Sequence, residues 1–153
     1  HLDQSLFARN ILDEKNGPPP EVNLFNEKNN GETLLKLIDE NLIKSAHDVS
    51  LGGIITAVAK MCIKGKIGIN IKKPKYLINE IEYLFAEDQG RYIVEINKKD
   101  FKKVTDILNK NAIHFDQLGT IIENELYIND KTKVSIDELS TSNKTWLTNY
   151  MSK

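Results

Sequence analysis

The sequence predicts an α+β fold with a mixed or mainly antiparallel sheet, and three observations carry that prediction. A polar turn with paired glycines leads into Ile54, Ile55, Val58, Met61 and Cys62, which share one broad helical face. Ile67-Gly68-Ile69-Asn70-Ile71 and Tyr92-Ile93-Val94-Glu95-Ile96 read as strands. Helical and strand patterns are interspersed along the chain, and a hairpin pattern closes the series.

Residues 2–12 carry Leu2, Leu6, Phe7, Ile11 and Leu12, which suits a short helix entered through Asp3 or Ser5. Asn16-Gly17-Pro18-Pro19-Pro20 stops it, because three prolines impose extended geometry and remove three backbone donors. The polar stretch through Asn29-Asn30-Gly31 reads as a connector. Residues 32–43 follow as an amphipathic helix, with Leu34, Leu35, Ile38 and Leu42 on one face.

Ser45-Ala46-His47-Asp48-Val49-Ser50-Leu51-Gly52-Gly53 reads as a strand end and turn. Ser50 is the N-cap candidate for the next helix, and the glycine pair admits either another backbone or an anion at close range. With Ala57 and Ala59 on its flanks, that helix is expected to be buried.

The strand at 67–71 is ended by the charged, proline-containing 72–75. A helix over 76–85 and the strand over 92–96 come next. Asn97 and Asp100 then open a helix bearing Phe101, Val104, Ile107 and Leu108. Residues 113–123 and 126–128 flank Asn124 as a predicted hairpin. Ser135-Ile136-Asp137-Glu138 is a capping box for a short final helix. The aromatic tail with Trp146, Tyr150 and Met151 is expected to pack back on the domain or on a partner.

A chain of 153 residues makes one domain of ordinary size and buries about two-thirds of its surface on folding. A formal net charge of −1 gives no reason to expect nucleic acid or an anionic membrane as partner. The single cysteine, Cys62, excludes an internal disulfide and reads as a small buried hydrophobe. No apolar run reaches the roughly 18 residues of a membrane span, and no signal-peptide pattern opens the chain. Beginning at His1-Leu2-Asp3, it reads as a piece of something longer.

Two clusters could do chemistry. His47 beside Asp48 could be an acid–base pair or part of a metal set, but neighbours on a strand point to opposite faces, and turn or capping roles weigh more. Glu87-Asp88-Gln89-Gly90-Arg91 could bind a polar ligand or Mg²⁺, or be a solvated loop with an internal ion pair. Only Arg9 and Arg91 among 21 basic residues offer a planar fork, and Arg91 is expected to pair with Glu87 or Asp88 or to meet a ligand. The residues alone lead to an α+β domain able to contact an anion or nucleotide.

The clusters together resemble a known family. His47-Asp48-Val49-Ser50-Leu51-Gly52-Gly53 is similar to the H-D-V-S-D-G-G-L motif of the C-terminal domains of aminoimidazole ribonucleotide synthetase-related proteins. Leu2-Asp3-Gln4-Ser5-Leu6-Phe7, Gly17-Pro18-Pro19-Pro20, Leu84 through Tyr92, Leu118-Gly119-Thr120 and Trp146-Leu147-Thr148-Asn149-Tyr150-Met151 resemble further motifs of the same series in the same order. Within the superfamily, the resemblance is to the last domain of the large subunits of phosphoribosylformylglycinamidine synthases of the multi-subunit form. Asp3, Leu51 and Ala86 depart from the usual Gly, Asp and Gly.

The resemblance implies a single domain over 1–153, a three-layer α/β/α fold of partly ferredoxin-like topology. It implies a cytoplasmic, ATP-dependent ligase of purine biosynthesis that turns formylglycinamide ribonucleotide and glutamine-derived ammonia into formylglycinamidine ribonucleotide. ATP and Mg²⁺ would serve the full enzyme, and none is expected in this fragment. The implied partners are the remaining domains of the same chain, a glutaminase subunit and a small accessory subunit, without nucleic acid or membrane. No catalytic residue and no metal ligand is expected here. His47, Asp48, Ser50, Gly52, Gly53, Glu87, Asp88, Gln89 and Arg91 would face a ligand or a pseudo-symmetric, non-catalytic position. The alternatives are another superfamily member, such as a selenophosphate synthase or hydrogenase maturation protein, or a non-catalytic interaction module.

Overall fold

The computed structural model describes all residues except 75, 77, 78 and 153. They fall into two compact units, residues 1–57 with 81–116 and residues 58–80 with 117–153.

In the first unit, α1 (Leu6–Asn10) starts where the Ser5 hydroxyl accepts from the Ala8 amide at 3.1 Å, as expected of Ser5. Helix α2 (Leu24–Asp39) corrects the predicted connector. Asn23 caps it through the Asn26 amide at 3.0 Å, and the helix runs straight through Asn29-Asn30-Gly31. Those asparagines are held by tertiary bonds: Asn29 Nδ2 donates to the Asn111 carbonyl at 2.9 Å and Asn30 Nδ2 to the Gly90 carbonyl at 2.8 Å. The helix also ends earlier than predicted, because Asn41 takes a left-handed conformation at φ 54°. Its buried side is Thr33 and Leu37, while Leu35 and Ile38 are exposed.

Strand β1 (Ile43–Asp48) runs antiparallel to β3 (Tyr92–Ile96), placing His47 opposite Ile93 and Asp48 opposite Tyr92. Leu37, Leu42 and Val104 make the centre of this unit's core, with Ile43, Ile96, Ile107 and Leu108 against them. Val104, Ile107 and Leu108 come from the predicted helix, α5 (Phe101–Lys110). Helix α3 (Gly53–Gly65), which starts in this unit and continues into the second, buries Ile54, Val58 and Cys62 of the predicted face together with the flanking Ala57, while Ile55 and Met61 are half-buried. Helix α4 is observed as Glu80–Phe85, and part of the predicted 76–85 helix lies outside the described residues.

In the second unit, β2 (Gly68–Ile71), β4 (Gly119–Ile122), β5 (Glu125–Ile128) and β6 (Thr132–Ser135) form a sheet in the order β4-β2-β5-β6. β2 is antiparallel to β4 and parallel to β5, while β5 and β6 are antiparallel. The α+β class with a mixed, largely antiparallel sheet is therefore as expected. The predicted hairpin about Asn124 is not formed: β2 lies between the two strands it would join. The hairpin is β5–β6 instead, turned at Asn129 and Asp130, both left-handed. The link through residues 123 and 124 crosses the end of β2 at Gly68. A Cβ there would lie 2.1 Å from the Glu125 carbonyl oxygen.

Helix α6 (Ile136–Met151) is capped by the Ser135 hydroxyl, which accepts from the Glu138 amide at 3.1 Å. The capping box was legible, but the helix is 16 residues long rather than short, and it absorbs the aromatic tail. Trp146, Leu147, Tyr150 and Met151 are exposed, so the tail does not pack back on its own unit. Among the described residues, no helix is long and apolar enough to cross a membrane.

Candidate functional site

The turn between β1 and α3 and the segment between α4 and β3 meet in the first unit. The β1–β3 ladder continues one step past Asp48, as the Val49 amide donates to the Arg91 carbonyl at 2.8 Å. The chain then turns, with the Gly53 amide donating to the Ser50 carbonyl at 3.0 Å. Gly52 and Gly53 both have positive φ, 82° and 69°, a region closed to most side chains. This corrects the N-cap reading of Ser50: the two left-handed residues delay the helix to Gly53, and Ser50 contributes its carbonyl. A Cβ on Gly53 would sit 2.6 Å from the Leu84 carbonyl oxygen and 2.8 Å from that of Ala86. Of the two approaches the glycine pair admits, another backbone is the one Gly53 receives.

The anion at this helix start is a side chain of the protein itself. Glu87 Oε1 accepts from the Gly52 amide and the Leu6 amide, both at 2.8 Å. One carboxylate oxygen thus ties α1, the glycine turn and the segment after α4 together, where the helix dipole favours negative charge.

Arg91 is the second tie. Its Nη2 donates to the Ala86 carbonyl at 2.6 Å and its Nε to the Asp88 carbonyl at 3.1 Å. Asp88 Oδ2 lies 3.8 Å from Nη2, so the expected ion pair forms with Asp88 and not with Glu87. Burial pulls the Arg91 guanidinium below its ordinary pKa, while the charges of Asp88 and Tyr83 oppose that fall. The other arginine is also held internally, Arg9 Nη2 donating to Gln4 Oε1 at 2.6 Å.

His47 and Asp48 do meet, contrary to the alternation argument. His47 Nδ1 donates to the Asp48 carbonyl at 2.6 Å and lies 3.4 Å from its Oδ1. The bond to the neighbour's carbonyl uses the same ring nitrogen, so the ring is oriented locally rather than aimed at a ligand.

A cleft of about 170 Å³ opens beside these ties, lined by Asp48, Ser50, Glu87, Gln89 and Arg91 among the predicted residues. Glu27, Leu51, Gly90 and Tyr92 also line it; His47, Gly52, Gly53 and Asp88 do not. Glu27 leaves no signal in the sequence, since it sits in the predicted connector, and the pattern around Tyr92 marks it only as a strand residue. The cleft is smaller than the roughly 300 Å³ at which small-molecule pockets begin. Three carboxylates, Glu27, Asp48 and Glu87, face one arginine already bonded to carbonyls, a balance that repels phosphate. Mg²⁺ does not fit this turn either: Leu51, 63% exposed, stands where the motif usually carries Asp. Among the described residues no three of His, Cys, Asp and Glu come together as a metal set.

Comparison with known proteins gives a consistent result. The family model of "AIR synthase related protein, C-terminal domain" matches residues 4–131. A phosphoribosylformylglycinamidine synthase subunit PurL from Pelagibacter ubique is 70% identical over 99% of this chain, which covers 21% of that protein. The chain spans about a fifth of the length of the curated relatives it matches. Among solved structures, Thermotoga maritima PurL complexed with FGAR has a TM-score of 0.73 and 24% identity over 88% of this chain and 24% of that one. The same protein complexed with ATP gives 0.64 and 22% over 74% and 21%. PurLQS from Thermotoga maritima gives 0.68 and 23% over 87% and 24%. At these identities the structures speak for the fold alone.

Proposed function

The chain belongs to the family of AIR synthase related proteins as a C-terminal domain, and on that premise we propose that it is the last domain of the large subunit of a phosphoribosylformylglycinamidine synthase. The observation that carries this reading is 70% identity to a relative of that name along 99% of the chain. In that reaction the amide oxygen of formylglycinamide ribonucleotide takes the γ-phosphoryl group of ATP and ADP leaves. Ammonia then adds at the activated carbon, and phosphate departs with the former amide oxygen.

Residues 1–153 act in this enzyme as one domain completing a pseudo-symmetric scaffold, with no catalytic residue of their own. Three features support the scaffold role: a helix start filled by the Glu87 carboxylate, a small carboxylate-rich cleft, and Leu51 in place of a carboxylate. His47, Asp48, Ser50, Gly52, Gly53, Glu87, Asp88, Gln89 and Arg91 are then framework at a position homologous to a ligand-facing surface. ATP and Mg²⁺ serve the whole enzyme through domains outside this segment. The complex of Thermotoga maritima PurL with ATP supports ATP use, and the PurLQS structure supports work within a multi-subunit assembly. A glutaminase subunit and a small accessory subunit are the partners of this reading, and the cytoplasm its compartment.

The test is synthesis of formylglycinamidine ribonucleotide with added ammonia. The full-length chain is expected to turn over. Glu87→Gln in that chain should leave the KM values for ATP and for the ribonucleotide unchanged. Turnover by residues 1–153 alone, or a large KM rise in Glu87→Gln, would sink the scaffold reading.

A further inference from the structure

Two asparagines precede glycine, in Asn16-Gly17 and Asn30-Gly31, and the structure gives them opposite surroundings. Glycine has no Cβ to keep its backbone nitrogen away from the side chain before it, so in Asn-Gly that nitrogen can reach the asparagine Cγ. Asn30 and Gly31 lie inside α2, where helical dihedrals fix the backbone and commit the Gly31 amide to the carbonyl one turn back. The Asn30 side chain is tied as well, its Nδ2 donating to the Gly90 carbonyl at 2.8 Å. Asn16 is exposed in the irregular stretch between α1 and α2. Among the described residues, no hydrogen bond engages its side chain or the Gly17 amide. Pro18-Pro19-Pro20 follow, and without N–H groups they keep a helix or ladder from closing over it. What holds this stretch is Gln4, whose Nε2 donates to the carbonyls on either side of Asn16, that of Lys15 at 3.1 Å and that of Gly17 at 3.0 Å.

We propose that Asn16 is a site of spontaneous deamidation to isoaspartate, and that the Gln4 bridge restrains the reaction. The Gly17 nitrogen bonds to Asn16 Cγ, the Cγ–Nδ2 bond breaks, and the Gly17 amide proton leaves with Nδ2 as ammonia. Water then opens the cyclic imide so formed. Cleavage of the new bond to Cγ gives aspartate. Cleavage of the original peptide bond leaves Gly17 joined through Cγ, which is isoaspartate. Ring closure needs the Asn16 ψ to turn, swinging the Gly17 peptide against Lys15, and a bridge between those two carbonyls opposes that turn. The reaction draws on water alone, so each chain would carry it as a record of its age.

The test is incubation of the full-length chain at neutral pH, native and in urea, with both Asn-Gly peptides followed by mass spectrometry. Electron-transfer fragmentation tells isoaspartate from aspartate. In urea the two sites are expected to react within about twofold of each other, since the residue that follows is the same and the chain around each is open. In the native chain Asn16 is expected to stay within about tenfold of its unfolded rate. Asn30 should fall at least about a hundredfold, because it reacts only when α2 opens. Gln4→Glu keeps the acceptor for Arg9 and loses both donated bonds. It should speed Asn16 about three- to fivefold, with Asn30 still slow as the sign of an intact fold. Gln4→Met, neutral and of similar length, is the second variant should glutamate unsettle the loop. Equal native rates at the two sites, whether both slow or both fast, would overturn the proposal. So would a product that is all aspartate and no isoaspartate. An Asn16 rate unchanged in both Gln4 variants would overturn the part given to Gln4.

Discussion

The Glu87 carboxylate accepts the Gly52 amide at 2.8 Å, so the start of α3 carries its own counter-anion. That oxygen also holds the Leu6 amide, which makes Glu87 a single-atom link between two separate backbone segments.

Glu87→Ala leaves both amides without their acceptor and is expected to cost about 2–3 kcal/mol in urea unfolding. Glu87→Gln keeps one acceptor oxygen without the charge and should lose about half as much. A loss under about 0.5 kcal/mol for the alanine variant would show that water replaces the carboxylate freely.

Gly53→Ala meets two penalties at once, a φ of 69° and a Cβ 2.6 Å from the Leu84 carbonyl oxygen. Backbone cannot swing aside as a flexible side chain does, so more than about 2 kcal/mol is expected. Gly31→Ala, inside α2, is the control, since its Cβ would lie 3.9 Å from the Tyr92 hydroxyl, an ordinary contact; it should be neutral or mildly stabilising in the same measurement.

Arg91→Lys keeps the charge and loses the fork. A lysine cannot reach the Ala86 and Asp88 carbonyls together in the geometry of Nη2 and Nε. A cost of about 1–2 kcal/mol is expected from thermal or urea melts, and an unchanged melt would assign Arg91 no structural part.

Cys62 is 5% exposed, and burial pushes its thiol from 9.0 up to about 11. The folded state keeps its proton in a range where the unfolded state has released it. Stability from this group is therefore whole below pH 9 and is lost as pH rises towards 11, by about 2–3 kcal/mol in total. Cys62→Ala should flatten that slope in alkaline unfolding curves. A thiol reagent at neutral pH should label Cys62 only when the chain opens.

Legibility in the sequence followed the range of the interactions. Ser5 and Ser135 announce their helices because a cap is a bond between residues three apart. The buried face of α3 was legible because periodicity is local too. The second half of α2 was legible from its periodicity, but the first half was not, since Asn29 and Asn30 are held by Asn111 and Gly90, partners 82 and 60 residues away. The same holds for the site. Asp88 is three residues from Arg91 and is one of the two partners the sequence offers it, whereas Glu87 bonds Leu6 across 81 residues and no spacing rule reaches that far. Glu27 entered the cleft unannounced for the same reason.

The passage of residues 123 and 124 over Gly68 sets an order on assembly. Strands β4 and β5 are neighbours in sequence but cannot zip together, because the strand between them is made about fifty residues earlier. A hairpin there would close within microseconds; this sheet must instead close the loop of about fifty residues that brings β2 against β4 and β5. Only β5 and β6 can pair early, and they then wait as a ribbon with an open edge. A side chain at position 68 would collide with the Glu125 backbone, its Cβ 2.1 Å from that carbonyl oxygen, so the place of β2 beside β5 is open to glycine there.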